Sequence, residues 1–205
     1  MSTLFHELER LYPQPKIELV YNNPFELLVA VMLSARTTDL AVNKITPALF
    51  HAAPTPAAML VLGLDAVKQL ISTIGLDNIK SKNLLGLSRL IISEHGGEIP
   101  TSLDDLMTLP GVGRKTAQVV LNTLYNASYI SVDTHVFRVA KRLGLAAGNT
   151  PLKVEQSLLK VVPPSHIPKI SRRLWLHGRY VCIAINPKCQ LCPLVQWCSF
   201  YNNNV

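Results

Sequence analysis

Apolar residues recur at helical spacing along most of this chain, and prolines or glycines separate one run from the next. The first run predicts a short helix within residues 1–12 that carries its apolar side chains on one stripe: Leu4, Phe5, Leu8 and Leu11. The next run, from Phe25 to Ala35, follows Asn23-Pro24, which is an N-cap and a first-turn proline. Because this run is apolar on every side, we expect it to form a central helix.

Capping residues predict where several further helices begin and end. The stripe that starts at Asp65 is expected to close at Gly75, and a longer helix is expected from Ile79 to His95. Another helix is expected to begin after Asp133. Residues 128–132 alternate a little, but one short strand has no second strand with which to pair. The sequence therefore predicts an all-α fold of many short helices.

The stretch L-P-G-V-G-R-K-T-A, residues 109–117, interrupts this pattern. Pro110, Gly111 and Gly113 cannot share a stable helix, so they predict a tight hairpin between two helices. Backbone N–H groups at the start of the second helix favour an anion such as a DNA phosphate. The alternative is a plain corner between two helices that binds nothing.

The positive net charge is consistent with a polyanionic partner but does not establish one. The 20 Lys and Arg outnumber the 13 Asp and Glu, which gives a formal net charge of +7. A merely basic soluble protein would have the same balance. No apolar run approaches the ~20 residues that a membrane helix needs, and the N-terminal segment carries acids where a signal peptide carries lysines. We therefore expect a cytoplasmic protein with no membrane partner.

Lys115 and Asp133 are the two residues with the clearest catalytic potential. Lys115 lies in the first turn of the helix after the hairpin, where the positive end of the helix dipole disfavours the ammonium form. A neutral amine can attack the anomeric carbon of a deoxyribose, and a nearby carboxylate can accept a proton and stabilise positive charge on the sugar. The alternative is that Lys115 only contacts phosphate and Asp133 only caps a helix.

All four cysteines fall near the end of the chain, in the pattern Cys182-x6-Cys189-x2-Cys192-x5-Cys198. Four thiolates so close together indicate either a zinc ion or an iron–sulfur cluster rather than a disulfide framework. Zinc sites usually pair their ligands as two short knuckles, and only Cys189 and Cys192 have that spacing. The wider gaps favour a [4Fe-4S] cluster, with unpaired core cysteines as the remaining alternative.

Taken together, L-P-G-V-G-R-K-T-A, V-D-T-H-V-F-R-V, L-H-G-R-Y-x-C and the cysteine loop resemble the endonuclease III family over nearly the whole chain. The resemblance implies a bifunctional DNA glycosylase and apurinic/apyrimidinic lyase that removes oxidised pyrimidines from duplex DNA and carries a [4Fe-4S] cluster. It also implies two lobes. Residues 17–127 would form a six-helix barrel that contains the helix-hairpin-helix, and residues 1–16 and 128–205 a second helical lobe with the cluster loop at 182–198.

The resemblance assigns a role to individual positions. Lys115 falls on the family's nucleophile, Asp133 on its catalytic carboxylate, and the four cysteines on its cluster ligands. The residues expected to contact DNA are Arg36, Leu76, Gly111, Gly113, Arg114 and Lys188. Two positions depart from the family: Arg36 stands where glutamine is usual, and Asp77 stands where an aromatic residue is usual. Both lie in loops expected to probe the duplex around a flipped nucleotide.

Three other functions are consistent with parts of this pattern. A non-catalytic DNA-binding module with a structural metal loop would have no need for Lys115. A monofunctional adenine glycosylase would share the hairpin and the cluster but lack that lysine. A redox protein that uses the cluster for electron transfer would leave the hairpin unexplained. The favoured hypothesis is a DNA repair enzyme that acts as a monomer on damaged pyrimidines and abasic sites.

Overall fold

The computed structural model describes residues 2–202, and in these residues the only regular secondary structure is helical. The α-helices are, in chain order, α1 Ser2–Leu11, α2 Pro24–Leu33, α3 Asp39–Ala52, α4 Pro56–Leu62, α5 Leu64–Leu70, α6 Asp77–His95, α7 Leu103–Thr108, α8 Arg114–Tyr125, α9 Thr134–Arg142, α10 Pro151–Val161, α11 Ile167–Tyr180 and α12 Ser199–Asn202. Short 3-10 helices cover Pro164–His166, Cys189–Leu191 and Val195–Trp197. The predicted all-α class is confirmed.

The chain divides into two compact units. One comprises residues 17–125 and holds α2 to α8. The other combines residues 1–16 with 126–205, so its helices come from both ends of the chain. The hairpin and Lys115 belong to the continuous unit, and Asp133 and the four cysteines belong to the discontinuous one.

Side chains immediately before the helices fix where the helices begin. Asn23 Oδ1 accepts a hydrogen bond from the backbone N–H of Glu26 at 2.9 Å. The hydroxyls of Thr38 and Thr55 do the same for the third residue after each of them, at 3.2 Å. Such caps satisfy N–H groups that have no partner within the helix. The expected start of α2 is therefore confirmed.

Helix α2 forms the centre of the continuous unit, as its uniformly apolar sequence predicts. Every residue from Phe25 to Leu33 is buried. The one acid among them is Glu26, whose carboxylate accepts hydrogen bonds from the backbone N–H of Asn22 at 2.7 Å and from its side-chain amide at 2.9 Å. These bonds replace the water that the buried carboxylate loses.

The expected end of α5 at Gly75 was wrong. The helix ends at Leu70, where the Ser72 hydroxyl donates to the Gln69 carbonyl at 2.8 Å and so satisfies a backbone acceptor that the next turn would have used. Ile71 and Ile74 remain buried although they lie in a turn. The residue with a left-handed backbone in this segment is Leu76, with a φ of 66°, and it lies at the start of α6 rather than at the end of α5.

The discontinuous unit has its own apolar core. Leu4, Phe5 and Leu8 of α1 are at most 3% exposed and pack among buried residues of α9, α10 and α11. The core also includes Leu194 and Cys198, which follow the predicted cluster loop's central pair of cysteines. The cysteine segment is therefore packed onto the same core that holds α1.

Among the described residues, no single helix has the length and apolar composition needed to cross a membrane. Helices α3 and α4 reach that length and apolar composition only when they are taken together, and the chain bends by 89° between them.

Candidate functional site

The predicted hairpin is present as α7, a tight turn and α8. Within the turn, the Val112 N–H donates to the Leu109 carbonyl at 3.0 Å, and Gly111 has a φ of 79°, which side-chain-bearing residues rarely adopt. Leu109 and Val112 are buried and anchor the turn, whereas Gly111, Gly113 and Arg114 are exposed. The exposed side of the turn thus holds three of the residues expected to contact DNA.

Helix α6 packs closely against the hairpin. A β-carbon on Gly111 would lie 2.8 Å from the side-chain nitrogen of Asn83, and one on Gly86 would lie 3.1 Å from Cγ of Pro110. Because these distances leave no room for a methyl group, both glycines are needed for α6 and the turn to approach so closely.

Lys115 is the second residue of α8 and is exposed. Ala117, Val120 and Leu121 of the same helix are buried. Lys115 therefore lies away from the buried side of the helix. The amine therefore emerges next to the hairpin, at the helix end where backbone N–H groups favour an anion.

Asp133 is the N-cap of α9. Its Oδ1 accepts hydrogen bonds from the backbone N–H groups of His135 and Val136, each at 2.9 Å. The side chain is half-buried, so these two bonds fix the carboxylate without removing it from solvent. The capping role is observed directly. The catalytic roles of Asp133 and Lys115 stay predictions.

Arg138, one turn after the start of α9, connects that helix to α11 and to the segment that follows α11. Its Nε donates to the carbonyl oxygen of Cys182 at 3.1 Å, and one of its terminal nitrogens donates to the carbonyl of Gly178 at 2.8 Å. The same nitrogen lies 3.2 Å from Nδ1 of His135. This group therefore ties the helix that begins after Asp133 to the first cysteine of the loop.

The four cysteines line a single cavity, which is closed on its remaining sides by Arg142, Leu143, His177, Val181, Pro187, Lys188, Val195, Phe200 and Tyr201. Burial, followed by the charges of the other three cysteines, raises the pKa of the Cys192 thiol. A thiolate at Cys192 therefore needs a nearby cation to offset its burial and the charges of the neighbouring sulfur atoms. The donor set and the mostly apolar walls fit a thiolate-bound iron–sulfur cluster.

Two polar side chains approach the sulfur atoms. A terminal nitrogen of Arg142 lies 3.4 Å from Sγ of Cys182 and also donates to the carbonyl of Ile183 at 2.8 Å. Its guanidinium stacks 4.6 Å from the ring centroid of Phe200. The positive charge and N–H donors of Arg142 stabilise a thiolate at Cys182.

His177 contacts the opposite side of the cavity. Its Nε2 lies 3.5 Å from Sγ of Cys192, and its Nδ1 lies 3.2 Å from the hydroxyl of Tyr12. Burial lowers the pKa of His177 to about 4, so the ring is neutral near pH 7. With a thiolate at Cys192, Nε2 is the donor and Nδ1 accepts the hydrogen bond from Tyr12.

The remaining residues expected to contact DNA are also exposed: Arg36, Leu76 and Lys188. Arg36 and Leu76 both have left-handed backbones, with φ values of 57° and 66°. Lys188 is exposed in the cysteine loop, where its N–H donates to the carbonyl of Val181 at 3.1 Å. Sequence reasoning did not single out Arg138 or His177, although V-D-T-H-V-F-R-V and L-H-G-R-Y-x-C contain them.

Comparison with known protein families shows which family has this arrangement. Residues 29–164 match the HhH-GPD superfamily of base excision DNA repair proteins, and residues 182–198 match the iron–sulfur binding domain of endonuclease III. The chain is 46% identical to endonuclease III of Rickettsia felis over 100% of its own length and 96% of that protein. The chain belongs to the endonuclease III family. It is also 49% identical to the Escherichia coli endonuclease III, across 92% of this chain and 89% of that protein.

A solved endonuclease III, trapped as a covalent intermediate with DNA in an estranged-adenine complex, superimposes with a TM-score of 0.92. It is 41% identical, and the match covers 99% of this chain and 96% of that one. Membership of the endonuclease III family confirms the predicted class of function, a base-excision-repair DNA glycosylase and lyase. The matched iron–sulfur domain begins at Cys182 and ends at Cys198, which confirms the predicted [4Fe-4S] cluster in place of zinc.

Proposed function

We propose that this enzyme excises oxidised pyrimidines from duplex DNA and then cleaves the strand at the abasic site, with Lys115 as the nucleophile and Asp133 as the catalytic carboxylate. The observation that carries the proposal is the position of Lys115, an exposed amine in the first turn of α8 directly after the exposed turn of the hairpin. A phosphate bound by the amides of that turn would bring the adjoining deoxyribose within reach of the amine.

The proposed reaction proceeds through a Schiff base. The Lys115 amine attacks C1′ of the deoxyribose as the glycosidic bond breaks, and the base leaves with the bonding electrons and takes up a proton. Asp133 accepts a proton from the attacking amine and stabilises positive charge on the sugar. The C1′–O4′ bond of the sugar ring then breaks, O4′ takes up a proton, and an imine forms between Lys115 and C1′. The imine acidifies C2′, and loss of that proton breaks the C3′–O bond and nicks the strand.

The fixed geometry of Asp133 supports its part in this reaction. Two backbone N–H groups hold Oδ1, which fixes the orientation of the carboxylate. The relative trapped as a covalent intermediate with DNA supports a covalent route for this chain as well.

Contacts with the DNA backbone would come from both units. We propose that the amides of Gly111 and Gly113, with Arg114, bind phosphates beside the lesion, and that Lys188 binds a phosphate further along the duplex. When bound, the cluster cross-links four points of the loop that carries Lys188. The enzyme would act as a monomer, in the cytoplasm and in association with the chromosome.

Borohydride trapping tests the assignment of Lys115. With a duplex that contains an abasic site, borohydride should reduce the imine of the wild-type enzyme and yield a stable enzyme–DNA adduct. Lys115→Ala should abolish the adduct. Lys115→Arg should also abolish it but retain DNA affinity, because arginine keeps the cation and loses the nucleophile. Lys160→Ala, an exposed lysine on α10, is the matched control.

The outcomes separate the alternatives. An adduct that persists in Lys115→Ala would assign the nucleophile to another residue. A wild type that binds duplex DNA but forms no adduct would favour a non-catalytic binding module. Adenine excision from a mismatch without strand cleavage would favour the monofunctional glycosylase.

A further inference from the structure

Lys80 is a buried lysine in the first turn of α6, with 4% of its surface exposed. Its ammonium nitrogen donates hydrogen bonds to the carbonyl oxygen of Leu33 at 2.8 Å and to the hydroxyl of Thr37 at 2.9 Å. A buried charge is costly unless it is hydrogen-bonded, so this side chain is retained in a position that an apolar residue would fill at lower cost.

The two acceptors of Lys80 lie on either side of Arg36. Leu33 is the last residue of α2, where the helix dipole presents its negative end, and Thr37 follows Arg36 in the loop after the helix. The Lys80 ammonium therefore holds both ends of the short segment that displays Arg36. Thr38, the next residue, caps α3 and fixes the exit of the loop.

The backbone of Lys80 holds the second loop. Its N–H donates to the carbonyl oxygen of Leu76 at 2.8 Å, which makes Leu76 the N-cap of α6. Leu76 is 48% exposed, so its apolar side chain is presented to solvent at the helix start. One residue thus contacts the Arg36 loop through its side chain and the Leu76 loop through its main chain.

Both displayed residues have strained backbones. A left-handed conformation is unfavourable for a residue with a β-carbon, whereas glycine adopts it readily. Such strain persists only where the surrounding structure enforces it, and it concentrates at functional sites. Burial lowers the pKa of Lys80, which agrees with an amine held away from water by its protein acceptors.

We propose that Lys80 is a positioning residue that fixes the separation of Arg36 and Leu76, so that the two side chains enter the duplex together at the lesion. This inference rests on the proposed function, because it concerns how the same enzyme opens the DNA. Lys80 touches neither the sugar nor the base in this scheme. Its effect is transmitted through the two loops.

The principal test compares Lys80→Met, which keeps the length and loses the donors, with Lys82→Met, an exposed position on the same helix. We expect Lys80→Met to lower excision of thymine glycol by about 10- to 100-fold, the effect of misplacing a contact by about 1 Å. Fluorescence of 2-aminopurine opposite the lesion, which reports local unstacking, should lose most of its increase on binding. Lys82→Met should leave both unchanged.

A double-mutant cycle separates positioning from general destabilisation. If Lys80 acts through the loops, Leu76→Ala should reduce excision strongly in the wild type and only slightly in Lys80→Met. Equal losses in both backgrounds would overturn the proposal. Thr37→Val removes one acceptor while keeping the side-chain shape, and it should show the same coupling to Leu76→Ala if Lys80→Met does not fold. Additivity in the Thr37→Val series would also overturn it.

Borohydride trapping on an abasic site distinguishes a failure of this proposal from a failure of the proposed function. An adduct at wild-type level in Lys80→Met, together with lost excision, supports the positioning role. Normal excision and normal 2-aminopurine fluorescence in a folded Lys80→Met would refute it while leaving Lys115 as the nucleophile. Absence of an adduct in the wild type would instead refute the proposed function.

Discussion

Gly178 packs so closely against His135 that a β-carbon on residue 178 would lie 3.0 Å from Cβ of His135 and 3.3 Å from its carbonyl oxygen. The contact sets the distance between α11 and the start of α9, which begins after Asp133. We expect Gly178→Ala to push α9 outward, to destabilise the protein by about 1–3 kcal/mol and to lower base excision. Thermal unfolding and excision assays measure both effects. Gly75→Ala is the control, because a β-carbon there would meet no atom within 4 Å.

Asp133→Asn should separate capping from catalysis. The asparagine oxygen still accepts the two backbone hydrogen bonds, so the melting temperature should stay close to that of the wild type. Base excision should fall by about 10²–10⁴-fold, because the amide cannot accept a proton. Asp133→Ala should in addition cost about 1 kcal/mol of stability. Near-normal excision by a folded Asp133→Asn would mean that this residue only caps α9.

The cluster prediction is checked by colour and metal content. The purified protein should be yellow-brown, absorb near ~400 nm and contain about four iron atoms per chain, as thiolate-bound cubane clusters do. Cys192→Ser should lose iron and also lower solubility and DNA affinity, because the loop with Lys188 loses its cross-links. One zinc ion and a colourless protein would contradict the assignment.

The contact between α1 and α11 predicts acid sensitivity. Arg173, which is 1% exposed, donates to Glu9 at 2.5 Å and holds the pKa of that carboxyl below its ordinary value of 4.5. Burial lowers the pKa of His166 below 6.5. Both groups stabilise the folded state near pH 7. The His166 contribution is lost as the pH falls below about 6.5 and the Glu9 contribution as it falls below about 4.5.

Glu9→Gln should therefore lower the melting temperature at pH 7. Its difference from the wild type should begin to shrink as the pH falls below about 4.5, where the carboxyl of the unfolded chain takes up a proton, and should vanish below the lowered pKa of the folded state. Circular dichroism melts of the holoprotein from about pH 8 down to about pH 3 measure this. Glu98→Gln, an exposed carboxylate, provides the control. A difference that is constant across this range would rule out the ionised Glu9–Arg173 pair as its source.

Arg36 is the position at which base preference should depend on this particular chain. If its guanidinium enters the duplex and donates to guanine, Arg36→Gln should change the ratio of excision rates opposite guanine and adenine several-fold, about 1 kcal/mol. Cleavage of abasic sites should stay nearly constant. Equal losses opposite every base would indicate a phosphate contact instead. Arg89→Gln, an exposed position on α6, controls for lost charge.

Much of the helical framework can be predicted from the sequence because the residues that start helices act on backbone groups close to them in the chain. A cap such as Asn23 or Asp133 acts on backbone groups two or three residues away, so sequence alone locates the start of the helix. The cysteine loop is equally local, since its spacing restricts the metal centre. The end of α5 was missed because the hydroxyl of Ser72, and not a glycine, terminates that helix.

Lys80 shows what local signals cannot reveal. Its hydrogen bond to Leu33 joins residues 47 positions apart. Helical spacing places Lys80 on the buried stripe of α6 with Leu84 and Leu87, but it does not show which acceptors the buried amine meets. The left-handed backbone of Leu76 was equally hidden, because the neighbouring glycine is the expected residue for that conformation. Tertiary contacts decide both features.

The discontinuous unit imposes an order on biosynthesis. Helix α1 leaves the ribosome first, yet Leu4, Phe5 and Leu8 pack against residues from Ile130 onward. At about 5–20 residues per second, those partners are synthesised roughly 6–25 s later. During that interval the continuous unit can fold, but the apolar face of α1 remains exposed to solvent. The core that buries α1 can therefore be completed only after the segment that contains Leu194 and Cys198 has been translated.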